Sequence, residues 1–395
     1  MTPRSTKVET PRKQTLTNLA TPVFNQLGYH RSTMAALAAA SGISGPALYR
    51  HFTSKESLLD AVVRDGTARM EALFDETDDA TGLSDGRLKH LQNRIAEIAI
   101  ANPHHGAVIH RDLRNLSSEH RDELQTRWHR LVHRLGEVIA ASQPTLSTWD
   151  LELLARATFA VAASPSYSRH AGVSAHQYRE LLPQMMHAIS DANITPQSEL
   201  SPPPERRAPS AVREHASKRA AMQSAATRLF GERGFTDVSM DDIAEVVGVT
   251  DPTLYAHFED KAALLLAAQL RGTAWLQLAV SNALTAVTSP TCRLHAVLAS
   301  YAEFGVLHSD QVAVLIHGLH DLPDQELIGA GQREYVSEII SLLQICRPQL
   351  DPHDANVVTH GALAIVNELT RTRRYLGRPN LVNDLTRMMS RIVGI

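Results

Sequence analysis

Cysteine is scarce: 395 residues contain only Cys292 and Cys346. Two thiols exclude a disulfide framework and a four-cysteine zinc site. Aromatic residues make up only 5% while alanine is abundant, a balance that favours helix over strand. No stretch of 18 uninterrupted apolar residues occurs, so no membrane span and no membrane partner is expected. The first residues, MTPRSTKVETPRKQ, are polar with no apolar run behind them, unlike a secretory signal. Neither sign of charge dominates. Thirty-nine Lys and Arg stand against 42 Asp and Glu, a net charge of −3, which excludes a chain basic all over but leaves room for one basic face. A glycine-rich phosphate loop, a nucleophile elbow and an HExxH pair are all missing, so neither an enzyme nor a cofactor is implied. These absences leave an all-α, cytoplasmic protein.

What is present is a repeat. Shifted by 206 positions, the chain matches itself at 16 of the 44 ungapped positions from 24 to 67. Phe24 meets Phe230, Gly28 meets Gly234 and Gly42 meets Gly248. The run Leu48-Tyr49-x-His51-Phe52-x-x-Lys55 meets Leu254-Tyr255-x-His257-Phe258-x-x-Lys261. Aromatic, proline and glycine positions match in order, which low complexity cannot produce. Fainter matches continue. With a shift two shorter, Pro144, Leu146 and Asp150 meet Pro348, Leu350 and Asp354, and with one shorter again Met185-Met186 meets Met388-Met389. The expected division is 1–66 and 67–195 for the two parts of the first copy, a Pro- and Ser-rich linker at 196–209, then 210–272 and 273–395 for the second.

Each copy opens on a helix-turn-helix pattern. Leu16, Leu19, Ala20, Val23, Phe24 and Leu27 recur at helical spacing, with Gly28 expected as a left-handed cap. Met222, Ala225, Ala226, Leu229 and Phe230 repeat the face ahead of Gly234. A second short helix starts at the N-cap Thr33 or Ser239 and stops at Gly42 or Gly248. A third is capped by Ser44 or Thr250, with Pro46 or Pro252 tolerated in its first turn. Two short helices joined by a glycine turn and braced by another form a DNA-reading arrangement.

From Gly28 through Gly42-Ile43-Ser44-Gly45-Pro46-Ala47-Leu48-Tyr49-Arg50-His51-Phe52 to Lys55, and again from Gly234 through Gly248 to Lys261, the chain resembles the TetR family of transcriptional regulators. The resemblance covers about 50 residues at the head of each copy, the size of one small DNA-binding module. Two units in one chain resemble the tandem actinobacterial regulators of mammalian-cell-entry lipid-uptake operons. The resemblance implies double-stranded DNA as partner, with Thr33 and Ser239 on phosphate. It implies that Gly45, Pro46, Ala47 and Arg50, with Asp251, Pro252, Thr253 and Ala256, face the bases. Tyr49 and Tyr255 then stand at the groove edge, His51, Lys55, His257 and Lys261 on the backbone, and Phe52 and Phe258 in the core. It further implies a small effector of lipid or acyl type, and last helices that pair the two copies into an internal pseudo-dimer.

The two heads are unequal. Residues 1–55 carry a charge of +6, whereas 206–261 carry −1. Phosphate neutralisation supplies much of DNA affinity, so the first head is expected to bind more strongly and the operator to be an imperfect palindrome or asymmetric. The opposing expectation is a second head that serves only structure. Polar and aromatic residues in the C-terminal parts, namely Arg111, Arg114, Trp128, His129 and Tyr167 in copy one and Trp275, Tyr301, His317, His320 and Arg374 in copy two, are candidates for an effector pocket. The favoured function is a repressor released by its effector. A regulator acting without an effector through protein partners, and a metal sensor built on His129 and His133, are the alternatives; no metal site is assigned.

Overall fold

A computed structural model describes residues 11–78, 86–168, 173–196, 217–317 and 325–395. All regular elements among them are helical. The expected linker, from 197 onward, and His320 lie outside the described residues, as does the side chain of His317.

Copy one runs α1 (Pro11–Arg31), α2 (Met34–Ala40), α3 (Gly45–Tyr49), α4 (Lys55–Asp78), α5 (Arg87–Ala101), α6 (His105–Asp112), α7 (Ser118–Ala140), α8 (Thr148–Ala163), α9 (Pro165–Ser168) and α10 (Ala175–Ser190). Copy two runs α11 (Lys218–Arg233), α12 (Met240–Val247), α13 (Asp251–Tyr255), α14 (Lys261–Ala286), α15 (Pro290–Leu307), α16 (Ser309–His317), α17 (Gln325–Cys346), α18 (Pro352–Leu369) and α19 (Leu381–Val393), with a 3-10 turn at Arg373–Gly377.

Three apolar cores organise these helices. One closes the first head around Leu16, Ala20, Phe24, Leu37, Leu48, Phe52 and Leu58. A second closes the other head around Met222, Ala226, Phe230, Ile243, Leu254, Phe258 and Leu264. The third is continuous through the bodies of both copies. The long helix α4 serves two of them, with Leu58, Leu59 and Val62 in the head and Leu73 and Phe74 in the body. The expected division at 66/67 therefore falls inside a helix, as 272/273 does in α14. A stretch of α14 is long and apolar enough by composition to cross a membrane. Here Leu264 and Leu265 pack in a head and Leu276 and Val280 in the body.

Two local expectations need correction. On α1 the buried stripe is rotated from the apolar one: Leu19 is 41% exposed, while Thr17 and Thr21 are buried. Their hydroxyls donate to the carbonyls of Lys13 and Thr17 at 3.0 and 2.8 Å, which satisfies them inside the core. The cap glycines Gly28 (φ 72°, ψ 164°) and Gly234 (φ 91°, ψ 160°) are not left-handed helical. Positive φ with extended ψ is a region open essentially to glycine alone, and it swings the chain sharply into the next helix. Gly248 is the left-handed cap, at φ 74° and ψ 38°.

The copies join through a four-helix bundle. Helix α8 packs along α18, and α10 lies against α8, α18 and α19. A close approach of α10 and α18 is permitted by Gly361, where an added Cβ would stand 2.7 Å from Met185 Sδ. At one end Arg378, fully buried, donates to Asp150 of copy one at 2.6 Å, to Asp384 at 2.7 Å and to the Thr195 carbonyl at 2.6 Å. Nearby, Arg374 pairs with Glu152 and lies 4.8 Å over the Trp149 ring. Arg374 was expected near an effector; instead it ties the copies together, because its guanidinium spans the gap to α8. The bundle makes the chain its own pseudo-dimer.

Candidate nucleic-acid interface and effector pocket

In both heads the helix expected to enter the groove is a single five-residue turn. Its short apolar anchor, Leu48 or Leu254, is fully buried, and Phe52 or Phe258 locks the segment from behind. With those side chains inside, the opposite face is forced out. Tyr49 and Tyr255 are 52% and 51% exposed, although aromatic residues such as Phe24, Phe74 and Phe304 fill the cores. Ser44, Pro46 and Arg50 are exposed beside Tyr49, with Gly45, Ala47 and His51 half-buried. Asp251, Pro252, Ala256 and His257 are exposed beside Tyr255, with Thr253 half-buried and Thr250 exposed.

The caps distinguish the heads. Thr33 Oγ1 accepts from the Ala36 amide at 3.1 Å and Ser44 Oγ from the Ala47 amide at 3.3 Å, with no acidic residue in either first turn. These helix starts offer amides and partial positive charge to a phosphate. In head two, Ser239 is instead enclosed by Asp242, whose carboxylate accepts from the Ser239 amide at 2.7 Å and its hydroxyl at 2.5 Å. Those bonds hold the Asp242 carboxyl below the usual range, so an anion already occupies that helix start. Thr250 makes no cap and bonds Thr253 at 2.9 Å.

Lys55 and Lys261 are engaged internally. Lys55 Nζ donates to the Tyr29 and His30 carbonyls at 2.7 and 3.3 Å and sits 4.2 Å over the Tyr29 ring. Burial lowers its pKa. Lys261 Nζ donates to Val238 at 2.8 Å and Thr236 at 3.3 Å, over Phe235. Both ammonium groups stitch the segment just after Gly28 or Gly234 to the start of the connecting helix, a role that their spacing did not reveal. Missed altogether were Lys13 and Arg219, one repeat apart, lying over the Phe52 and Phe258 rings at 5.5 and 4.2 Å. Equal charge at equal position in both copies was the available signal.

The body of copy one holds a cavity of about 60 Å³ whose lining includes Gly66, Arg69, Met70, Ile98, His105, Ile109, Trp128, Phe159 and Ser166. Of the expected effector residues only Trp128 is among them. His105 Nε2 lies 3.5 Å from Asp65. Burial would raise the Asp65 pKa, but bonds from His105 and Arg69 outweigh it and lower it. Arg111 is elsewhere: buried, paired with Asp112 at 2.8 Å, it donates to the Phe24 and Asn25 carbonyls and fastens α6 to α1. Arg114 reaches into copy two, its guanidinium 2.7 Å from where a Cβ on Gly234 would stand. Tyr167 borders a small gap shared with Glu368 and Arg371, and burial pushes its pKa up to about 12.

In copy two the corresponding space is filled. Trp275 stands one repeat after Arg69 and stacks on Phe304, one repeat after Ile98, at 4.6 Å. Gln311 replaces His105 and donates to the Ala268 carbonyl at 2.7 Å. Tyr301 is buried, with its hydroxyl on Asn367 at 2.6 Å. Trp275 and Tyr301, expected at an effector, are packing residues. The histidine pair of α7 gains no third metal ligand among the described residues: His133 pairs with Glu137, and burial with the Arg156 and Arg374 charges lowers the His129 pKa.

Comparison with known proteins matches the family model described as "Bacterial regulatory proteins, tetR family" at residues 16–62 and 224–268. The chain is 35% identical over 151 residues to the HTH-type transcriptional activator FasR of Mycolicibacterium smegmatis, spanning 38% of this chain and 68% of that protein. It is 35% identical over 66 residues to the HTH-type transcriptional regulator UidR of Escherichia coli K12, spanning 17% of this chain and 34% of that protein. Among solved structures, a TetR-family transcriptional regulator from Bordetella parapertussis is 20% identical, covering 43% of this chain and 98% of its own, with a TM-score of 0.38.

Proposed function

Because the chain belongs to the TetR family of bacterial regulatory proteins, we propose that it is a sequence-specific DNA-binding repressor working in the cytoplasm, released by a small apolar, acyl-type effector bound in copy one. The observation that carries this reading is the double duty of α6. His105, Gly106 and Ile109 line the cavity, while Val108 on the same two turns belongs to the first head's core. His104 Nδ1 and the Asn25 amide of α1 are 2.9 Å apart, which adds a polar link to the Arg111 clamp. An object wedged against Ile109 must therefore displace α1 and the reading helix with it. The present cavity is far smaller than the ~300–1,000 Å³ of ordinary ligand sites, so entry requires α6 to move. Binding is then coupled to head position by construction.

Head one supplies most of the affinity in this scheme, through its basic charge and unobstructed caps, and head two adds avidity at an unequal half-site. The operator is accordingly an imperfect palindrome or an asymmetric site. Selection of bound genomic fragments followed by footprinting tests the DNA half of the proposal; a perfect palindrome protected equally on both sides overturns it. The effector half is tested with Arg69→Trp/Ile98→Phe, which rebuilds copy two's filled space in copy one. This variant should bind the selected operator as wild type does, yet lose its release by a panel of acyl thioesters. Release that persists places the effector elsewhere. Expression of the neighbouring genes rises on deletion if the protein represses and falls if it activates.

A further inference from the structure

A second concave site lies between the copies, away from the copy-one cavity. Its volume is about 570 Å³, within the range of small-molecule sites. Copy one contributes Arg111, Arg114 and Arg121 to its wall, and copy two contributes Arg371 and Arg373. Against these five guanidiniums stand Glu232 and Asp310 on the wall and Asp112 and Glu368 beside it, an excess of one positive charge. Arg111 is neutralised by Asp112, and Arg371 lies 3.9 Å from Glu368. Among the described residues neither Arg121 nor Arg373 has a carboxylate within 4 Å. Arg121 and Arg373, one from each copy, are therefore the guanidiniums that can take up an anion in the cleft.

The floor of the cleft is the junction of the second head with the bodies. Gly231 of α11 lets the helix touch α16 backbone to backbone: an added Cβ would stand 2.9 Å from the Asp310 carbonyl oxygen. Arg114 reaches from copy one onto the end of the same helix at Gly234. We propose that this cleft binds a small polyanion carrying two or more phosphoryl groups, gripped from both copies at once. Guanidinium forks match phosphoryl oxygens bidentately, and one fork from each copy, Arg121 and Arg373, fits two linked phosphoryl groups better than a single one. Such a ligand pins the second head to the first copy's body and holds the spacing of the two heads. This site would answer to a different class of molecule from the apolar cavity under head one.

The test uses the full chain and inorganic triphosphate as probe, in calorimetric titrations at low ionic strength. Wild type should give a saturable one-site isotherm. Arg121→Ala/Arg373→Ala should weaken it at least about tenfold, since charge-assisted bonds from two forks are lost. Arg179→Ala, an exposed arginine of α10 outside the cleft, should leave it unchanged. If the double variant melts earlier than wild type, the exposed single change Arg373→Ala carries the same expectation in smaller degree. No saturable isotherm for wild type, or equal weakening by Arg179→Ala, overturns the site. If the cleft arginines instead serve the DNA backbone, the double variant loses affinity for duplex DNA while triphosphate gives no isotherm, and the proposal likewise falls.

Discussion

Replacing Arg378 by methionine should be among the most damaging single changes in this chain. The guanidinium and both carboxylates around it are fully shielded, and the five groups in contact form one network: Asp150 of α8, Arg378, Asp384 of α19, and the amide and carbonyl of Thr195. Methionine fills much of the volume but leaves Asp150 and Asp384 buried without their cation. Breaking a buried pair on one side costs about 3–5 kcal/mol, because the surviving charge is stranded. In thermal unfolding, about 2–4 °C is lost per kcal/mol for units of this size, so the melting temperature should drop by about 6–20 °C. Asp150→Asn/Arg378→Met/Asp384→Asn removes the stranded charges as well. It should recover most of the loss, since a neutral buried cluster of the same shape is tolerated. A single variant within about 1 kcal/mol of wild type, or a triple variant no better than the single, would refute the assignment of this network as the lock between copies.

Tyr49→Ala should weaken operator binding about tenfold, the worth of a hydrogen bond to a charged phosphate, whereas Tyr255→Ala should cost under about threefold; gel-shift titration decides, and equal losses would contradict unequal heads. Gly231→Ala pushes a Cβ to 2.9 Å from the Asp310 carbonyl, and since backbone cannot swing aside the change should cost about 1–3 kcal/mol in urea unfolding. His360 of α18 is held neutral by burial, its pKa pushed down to about 4. The unfolded chain takes up this proton below its ordinary value of about 6.5, so the associated stability is complete above that pH and is lost as pH falls towards 4. Between pH 8 and pH 5 the loss is at most about 2 kcal/mol, a ceiling because the ring is only partly occluded. His360→Gln should flatten that slope in urea titrations at the two pH values.

Most of the framework was legible in the residues, and the reason is periodicity. Gly42, Gly248, Leu48, Leu254, Phe52 and Phe258 recur at one spacing, and each has only one physical use in a tight helical turn. The short third helices follow from that alone, and their exposed tyrosines from the family resemblance. The buried stripe on α1 was not legible, because threonine passes for an exposed residue until its hydroxyl is seen to bond the preceding turn. The internal bonds of Lys55 and Lys261 were hidden for a similar reason: an ammonium suits a phosphate and a set of carbonyls equally well, and only coordinates show the carbonyl 2.7 Å away. The effector candidates fared worst. Arginine and tryptophan carry no signature of facing a cavity, a partner copy or a core, and Arg114, Arg374 and Trp275 divide among those uses. Only the structure gives meaning to the pairing of His105 with Gln311, and of Arg69 with Trp275, across the repeat, where an open and a filled version of one space can be compared.

The bundle also explains why duplication within one chain differs from dimerisation of two. In a symmetric dimer every contact occurs twice, once in each direction. Asp150 and Asp354 are repeat-related, both in the first turn of their helices. Asp150 faces the buried Arg378 of the other copy at 2.6 Å. Asp354 faces only an amide: the Gln177 Nε2, at 3.1 Å, on a partly exposed surface. One lock is a shielded ion network, and its repeat-related counterpart is a single hydrogen bond from an uncharged amide. Copy one paired with itself would bury Asp150 with no arginine to meet it, since Arg378 lies only in copy two. The covalent link therefore does more than raise local concentration: it guarantees that each copy meets the other kind. That guarantee removes the constraint of self-complementarity, and with it the requirement that both heads be equally basic or both bodies equally hollow. The +6 and −1 heads, the open and filled cavities, and the arginine cleft whose walls come from different copies are all asymmetries that a homodimer cannot hold in a single sequence.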